Sequence, residues 1–312
     1  MFDIISGAHK LPHRLDPSRL TAIHGHLFGG HLFDAGQLRT TPLAKLQHVG
    51  FAARTNFTAP ERIQPELASI FDGLRQADGL KGLSRLEFAE AAADVFGRCN
   101  QAHPFTEGNG RTQQTFIRLL AKDAGHPISF DAVTRDRMYQ VSSDFSHGKP
   151  EGMRELFDEL TCPVRSQQLA QAHGFLKSVQ AQTGLNLDEA TLSTCVPGRS
   201  YAGGKVLSCG TDTCIFYKLP QIHVANLADI PGGRAAFGAD VAPFVSSRSP
   251  LQTAHHEIDL AERAAGRGNR AGAIAKLLTA HAGSALAAPL AEAATQRIKA
   301  AKALDRALVL QR

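Results

Sequence analysis

The stretch from His103 to Thr112, HPFTEGNGRT, constrains this chain more than any other, because it sits between two segments of strong helical patterning. Upstream, Ser84 and Glu87 have the spacing of a capping box ahead of RLEFAEAAADVFGRCNQA, and Leu86, Ala89, Ala93 and Phe96 fall on one helical face. Downstream, a second helix begins near Gly110 and runs to about Gly125. Its Thr115, Phe116, Ile117, Leu119 and Leu120 predict a well-buried central helix. Chain geometry therefore delivers one helix end and one helix start to the same short loop.

Each residue type in the loop has a chemical reading. Gly108, Asn109 and Gly110 are small, so backbone N–H groups there approach an anion closely, and the helix start adds about half a positive charge. Arg111 in the first turn opposes the helix dipole unless an anion lies beside it, where a guanidinium binds phosphate in a bidentate fork. Glu107 beside a phosphate cradle is repulsive unless a divalent cation intervenes, and Mg²⁺ binds in that way, through one or two carboxylates plus phosphate oxygens. His103 at the loop entrance takes a proton from a hydroxyl near neutral pH. Phe105 reads as an apolar peg anchoring the loop. Singly these features are commonplace; packed into ten residues they point to a site handling a polyphosphate.

With these residues in view, the loop resembles the signature of the Fic family, HPFx(D/E)GNGRxxR. It agrees at every fixed position except the last, where Gln114 replaces arginine. Upstream, IHGHLFGGHLFDAGQLRT, residues 23–40, is similar to the family's "LFg…waG.lRt" segment, and Asn56-Phe57-Thr58-Ala59-Pro60 resembles the end of the hairpin called the flap. The likeness covers roughly residues 15–160. It implies a protein adenylyltransferase that moves AMP from ATP to a Tyr, Thr or Ser hydroxyl of a target protein. His103 would be the general base, Glu107 the Mg²⁺ ligand, and Gly108, Asn109, Gly110 and Arg111 the phosphate-binding set. Asn56 and Phe57 would belong to the flap that docks the target by strand-like pairing.

Two departures qualify the likeness: Gln114 in place of the last arginine, and Ala35 where the family usually has Trp-Ala nearby, a change that bears on packing. In the family the last arginine holds the γ-phosphate and pairs with an inhibitory glutamate; Gln114 does neither, which leaves open another nucleotide or phosphate-containing donor, or a weakened nucleotide-binding module. No inhibitory (S/T)xxxE(G/N) motif occurs, and the nearest, Glu151-Gly152, has His147 at the Ser/Thr position. The resemblance then implies either a separate small antitoxin supplying the inhibitory helix or no restraint of this kind. Gly110 argues against the phosphorylating branch of the family, which carries lysine there.

The fold expected is mainly α: a Fic-type helical bundle with a small β-hairpin flap, then a small β-rich, OB-like domain and a C-terminal helical segment. The boundaries read as a catalytic domain at 15–161, a linker helix at 162–190, a β-rich domain at 191–248 with runs such as KVLSC and TCIFYKL, and an Ala-rich helical segment at 251–312. In the last, Arg297, Lys299, Lys302 and Arg306 read as a solvated face. Residues 43–57 suggest a hairpin.

Charge is uneven. Residues 1–160 hold 18 Lys+Arg against 19 Asp+Glu, and residues 161–312 hold 16 against 10. That mild excess fits solubility, so a nucleic-acid partner is not expected. Five cysteines in no framework spacing read as reduced, buried thiols. The His24, His26 and His31 cluster lacks metal-site spacing on a helix. No run of about 18 apolar residues predicts a membrane span. The expected location is the cytoplasm of the producing cell, or a host or recipient cell reached by injection, with the protein acting as a toxin or translocated effector.

Overall fold

A computed structural model describes residue 4 and residues 11–12, 14–49, 51–184, 186–201, 203–238, 244–266 and 268–310. The chain divides into two compact units, residues 1–130 with 139–161, and residues 131–138 with 162–312.

The first unit starts with α1 (Ser18–Phe28), followed by a hairpin of β1 (Ala44–Val49) and β2 (Phe51–Asn56). The hairpin is antiparallel and in register from Ala44 opposite Asn56 to Val49 opposite Phe51. Helices α2 (Pro60–Gln76), α3 (Arg85–Ala102) and α4 (Asn109–Asp123) follow, then α5 (Arg135–Ser146) and α6 (Glu151–Thr161). The capping box at Ser84 and Glu87 is present and fixes the start of α3. Ala89, Ala93 and Phe96 of the expected inner face are buried; Leu86 is only half-buried, and Phe88 is fully buried beside them.

Phenylalanines tie this unit together. Phe71 of α2 and Phe116 of α4 lie 5.3 Å apart between ring centroids, and Phe96 of α3 and Phe157 of α6 lie 5.6 Å apart. Phe71, Phe88, Phe105, Phe116 and Phe157 are all essentially inaccessible to solvent. Each such side chain contributes about 1.5–3 kcal/mol relative to exposure. Phe105 is the loop residue among them, so the loop is seated directly in the core.

In the second unit the first turn of α5 is bonded to a strand: Arg137 Nη1 donates to the Leu192 carbonyl at 2.9 Å. Helix α7 (Pro163–Thr183) precedes β3 (Thr191–Thr194), β4 (Ser200–Tyr201), β5 (Lys205–Cys209), β6 (Thr213–Lys218), β7 (Gln221–Asn226) and β8 (Phe244–Val245). Four strands form a sheet in the order β3-β7-β6-β5, with β3 parallel to β7 and the other pairs antiparallel. Strands β4 and β8 make a separate antiparallel pair. Tyr201, Phe216 and Phe244 are buried together with Cys195, Ala225 and Ile230.

Helices α8 (Pro250–Ala265), α9 (Arg270–Ala280) and α10 (Ala287–Leu310) pack around Ile258, Ile274 and Leu290. Arg297 does not lie on a solvated face as its spacing suggested. It reaches inward and pairs with Asp259 at 2.9 Å and with Glu262, because both carboxylates are buried and need a cation. The five cysteines are free thiols, four buried and Cys209 partly so. Among the described residues no helix is long and apolar enough to cross a membrane. The chain is mainly α: a helical bundle with a hairpin in the first unit, and a small β-rich part followed by helices in the second.

Candidate active site

Helix α3 ends at His103, whose amide closes the last turn on the Cys99 carbonyl at 3.1 Å. His103 is in the left-handed region, φ 43° and ψ 60°, which is uncommon for a side-chain-bearing residue and turns the chain sharply into the loop. Two contacts lock its ring. The ring of Phe57, just after β2, stacks on it at 3.7 Å and 16°. Its Nδ1 lies 3.2 Å from the Asn100 carbonyl. A carbonyl only accepts, so Nδ1 carries the hydrogen and Nε2 keeps its lone pair. Nε2 is buried with no hydrogen-bond partner among the described residues.

Burial, and next the charge of Lys45, hold the His103 imidazole far below its ordinary value, from 6.5 to about 3, with Arg39 acting in the same direction. The ring is a neutral acceptor at any physiological pH. Arg39 reaches the site through the backbone: its Nε donates to the His103 carbonyl at 2.8 Å, and its terminal nitrogens donate to the carbonyls of Thr41, Thr58 and Ala102. One buried guanidinium thus joins the segment after the hairpin to the end of α3.

The loop itself is built by three anchors. Asn109 accepts from the Phe105 amide at 2.9 Å and donates back to the Phe105 carbonyl at 2.6 Å. Both polar groups of that side chain are engaged inside the loop, so what Asn109 presents at the helix start is its backbone N–H. His24 of α1 stacks on Phe105 at 3.9 Å, donates Nε2–H to the Glu107 carbonyl at 2.9 Å and accepts the Gly36 amide on Nδ1 at 2.8 Å. Burial lowers the His24 pKa, in keeping with this neutral tautomer. Gly108 has φ +77°, and a Cβ there would collide with the Phe28 ring. The same Phe28 ring carries the Arg111 guanidinium 4.5 Å above its centroid.

Helix α4 then starts with no side-chain cap and no acidic residue in its first turn. Its first amides have no intrahelical acceptor and carry the positive end of the dipole. Arg111 and Glu107 are exposed beside it. A neutral imidazole, uncapped helix-start amides, a guanidinium and a carboxylate therefore lie on one loop. Glu107 meets no ion-pair partner among the described residues, and no preformed cluster of metal ligands exists among them. That suits Mg²⁺, which takes one carboxylate and completes its shell with phosphate oxygens and water.

Of the residues expected from sequence, His103, Phe105, Glu107, Gly108, Asn109, Gly110 and Arg111 are brought together. Phe57 is buried against His103 and not on a target-facing surface, while Asn56 is exposed at the hairpin base. Sequence reasoning set His24 aside as one of a histidine cluster and gave Arg39 and Phe28 no role. The usable signal for His24 was its place on the same helical face as Leu20 and Ile23, both buried.

Residues 14–121 match the Fic/DOC family. A protein adenylyltransferase of Bartonella henselae is 32% identical over 205 residues, 62% of this chain and 37% of that protein. Protein adenylyltransferase VbhT of Bartonella schoenbuchensis is 33% identical over 150 residues, 48% of this chain and 30% of that protein. The chain thus spans about a third of the length of these two relatives. Among solved structures, the type IV secretion system effector protein BepA superposes with a TM-score of 0.67 at 27% identity, over 79% of this chain and 85% of that one. Residues 14–121 of this chain therefore form a Fic/DOC domain.

Proposed function

We propose that this chain transfers AMP from ATP to a Tyr, Thr or Ser hydroxyl of a target protein. The observation that carries the reading is His103: a neutral imidazole with Nδ1–H fixed and Nε2 bare, next to a helix start with unfilled amides. The names of the curated relatives support the same chemistry.

The residues divide the work as follows. The target hydroxyl oxygen attacks the α-phosphorus of ATP, the bond from that phosphorus to the bridging oxygen breaks, and pyrophosphate leaves. Nε2 of His103 receives the hydroxyl proton. The amides at Gly108, Asn109 and Gly110 hold the phosphate that transfers, and Arg111, steadied by Phe28, holds the outer phosphates. Mg²⁺, held by Glu107, would neutralise phosphate charge. Catalysis of this kind is positioning and charge stabilisation. The hairpin of β1 and β2 is two-stranded, so each strand offers an outer edge to an extended target segment.

The test uses ATP labelled at the α- or the γ-position, a bacterial or host lysate, and wild-type or His103→Ala protein. Label from the α-position alone, appearing in protein with wild type only, is the expected result. Equal incorporation by both proteins, or label from the γ-position, overturns it. Gln114, half-buried and neutral where the family carries arginine, favours a second reading in which another nucleoside triphosphate is the donor; competition by unlabelled GTP, CTP and UTP tests it. Action as a toxin or as an effector delivered into another cell, and restraint by a separate antitoxin chain, belong to the same proposal. The likeness to a type IV secretion effector supports the delivered form.

A further inference from the structure

The β-rich part of the second unit contains a cavity of about 270 Å³, lined among others by Arg199, Tyr201, Phe216, Lys218, Gln221 and His223. Its walls come from the start of β4, the end of β6 and the start of β7, so the sheet brings together residues far apart in sequence. From this cavity we propose a second ligand site, distinct from the loop at His103, that binds one nucleoside phosphate.

The chemistry of the lining is one-sided. It includes two exposed permanent cations, Arg199 and Lys218, with the imidazole of His223, and none of the described lining residues is acidic. A concave surface of one charge sign concentrates the opposite ion. Here the complementary group is a phosphate.

The aromatic part of the lining is fixed. Tyr201 is buried, and its hydroxyl accepts the Val196 amide at 2.7 Å. Phe216 is 2% exposed and belongs to the same core cluster. The His223 ring lies 5.2 Å from Tyr201 and 5.4 Å from Phe216, with Nδ1 3.2 Å from the Ser193 hydroxyl. These rings do not have to reorganise to receive a ligand, which lowers the cost of binding. Fixed aromatic side chains and two cations in one lining, with the Gln221 amide and the Ser200 hydroxyl to read heteroatoms, suit a ligand with an anionic end and a flat body.

Gly204, next to the lining residue Gly203, has φ +131°, and a Cβ there would meet the Tyr217 carbonyl at 2.8 Å, so the chain runs close against β6 at this turn. The volume is near the low end, about 300 Å³, of small-molecule sites, which fits one nucleotide and not a strand. The β-rich segment also lacks a strong basic track: residues 191–248 hold five Lys+Arg against three Asp+Glu.

The test is hydrogen-exchange mass spectrometry of the full chain carrying Arg111→Ala, which weakens phosphate binding at the other site. The probes are AMP, inorganic phosphate and a short oligonucleotide series. AMP is expected to protect peptides covering residues 197–204 and 214–224. Arg199→Glu with Lys218→Glu is expected to weaken that protection at least tenfold. Both are exposed residues, and an unchanged melting temperature checks that the variant is folded. Inorganic phosphate is expected to bind at least tenfold more weakly than AMP, because it cannot use the aromatic wall. The proposal is overturned by any of four results: no protection at millimolar AMP, protection indifferent to the double charge reversal, equal affinity for inorganic phosphate, or affinity that climbs with oligonucleotide length. None of these readouts involves AMP transfer, so failure here leaves the reading of the His103 site standing.

Discussion

Phe57 lies almost flat on His103, ring centroids 3.7 Å apart and planes 16° apart. The stack covers one face of the imidazole and is part of the burial that holds its pKa near 3. If His103 is the base proposed above, it stays unprotonated well below neutrality in the free protein, and kcat/KM, which reports the free enzyme, is expected to show no acid limb at pH 6.5. Phe57→Leu opens that face to water. Its limb should move up toward 6.5, so activity falls below neutral pH while activity at pH 8 changes little. A limb at 6.5 in the wild type, or an unchanged limb in the variant, sinks this account.

The same burial makes stability pH-dependent. His103 has a folded pKa below its unfolded one, so the unfolded chain binds the extra proton between about pH 3 and 6.5. The contribution is fully favourable above 6.5 and is lost as pH falls, by at most ~1.4 kcal/mol per pH unit for a single proton. Denaturant titrations at pH 7.5 and 5 are expected to show a smaller drop for His103→Gln than for wild type.

Much of this site was legible in the sequence because its parts are contiguous. His103 to Arg111 occupy one loop, and the capping box at Ser84 and Glu87 with the glycines at 108 and 110 marks both its boundaries. What was not legible is long-range. His24 touches Glu107, 83 residues away, and Arg39 touches His103, 64 residues away. Periodicity places a histidine on a face but does not say which loop that face meets. Phe57 was legible as the end of a hairpin, yet its direction depends on how the hairpin leaves the bundle. Arg297 shows the same limit: helical spacing could not reveal that Asp259 and Glu262 of another helix wait for it.

His24→Phe separates packing from hydrogen bonding. A phenyl ring keeps the stack on Phe105 but strands the Glu107 carbonyl and the Gly36 amide. The expected loss of stability is about 1 kcal/mol, since both stranded partners are only part-buried. The Glu107 carbonyl is then unpinned, so the Mg²⁺ concentration for half-maximal transfer should rise more than the KM for target protein. Equal effects on both would reduce His24 to a general structural role.

Gly108→Ala puts a Cβ into the Phe28 ring and a side chain at φ +77°. The strain of the left-handed position alone is about 1–2 kcal/mol, and the collision adds to it. Shortening the ring in Phe28→Leu should relieve the collision but not the backbone strain. The double variant is therefore expected to be more stable than the two single effects added together. Strict additivity in a thermal-denaturation cycle would mean that the two residues do not press on each other.

Arg39→Lys tests whether the base is held in place through its own backbone. Arg39 is 4% exposed and donates to four carbonyls, those of Thr41, Thr58, Ala102 and His103. A lysine keeps the charge but has one nitrogen, so it cannot span that set, and about 2–3 kcal/mol of stability should be lost. The proposed nucleotide cradle is the start of α4 with Arg111 over Phe28, and none of the four carbonyls that Arg39 bonds belongs to it. Steady-state measurements should accordingly show kcat for AMP transfer falling about tenfold or more while KM for ATP moves little, since a shift of about 1 Å in a catalytic group is enough for such losses. A rise in KM for ATP with kcat intact would place Arg39 in nucleotide binding and not in the positioning of His103.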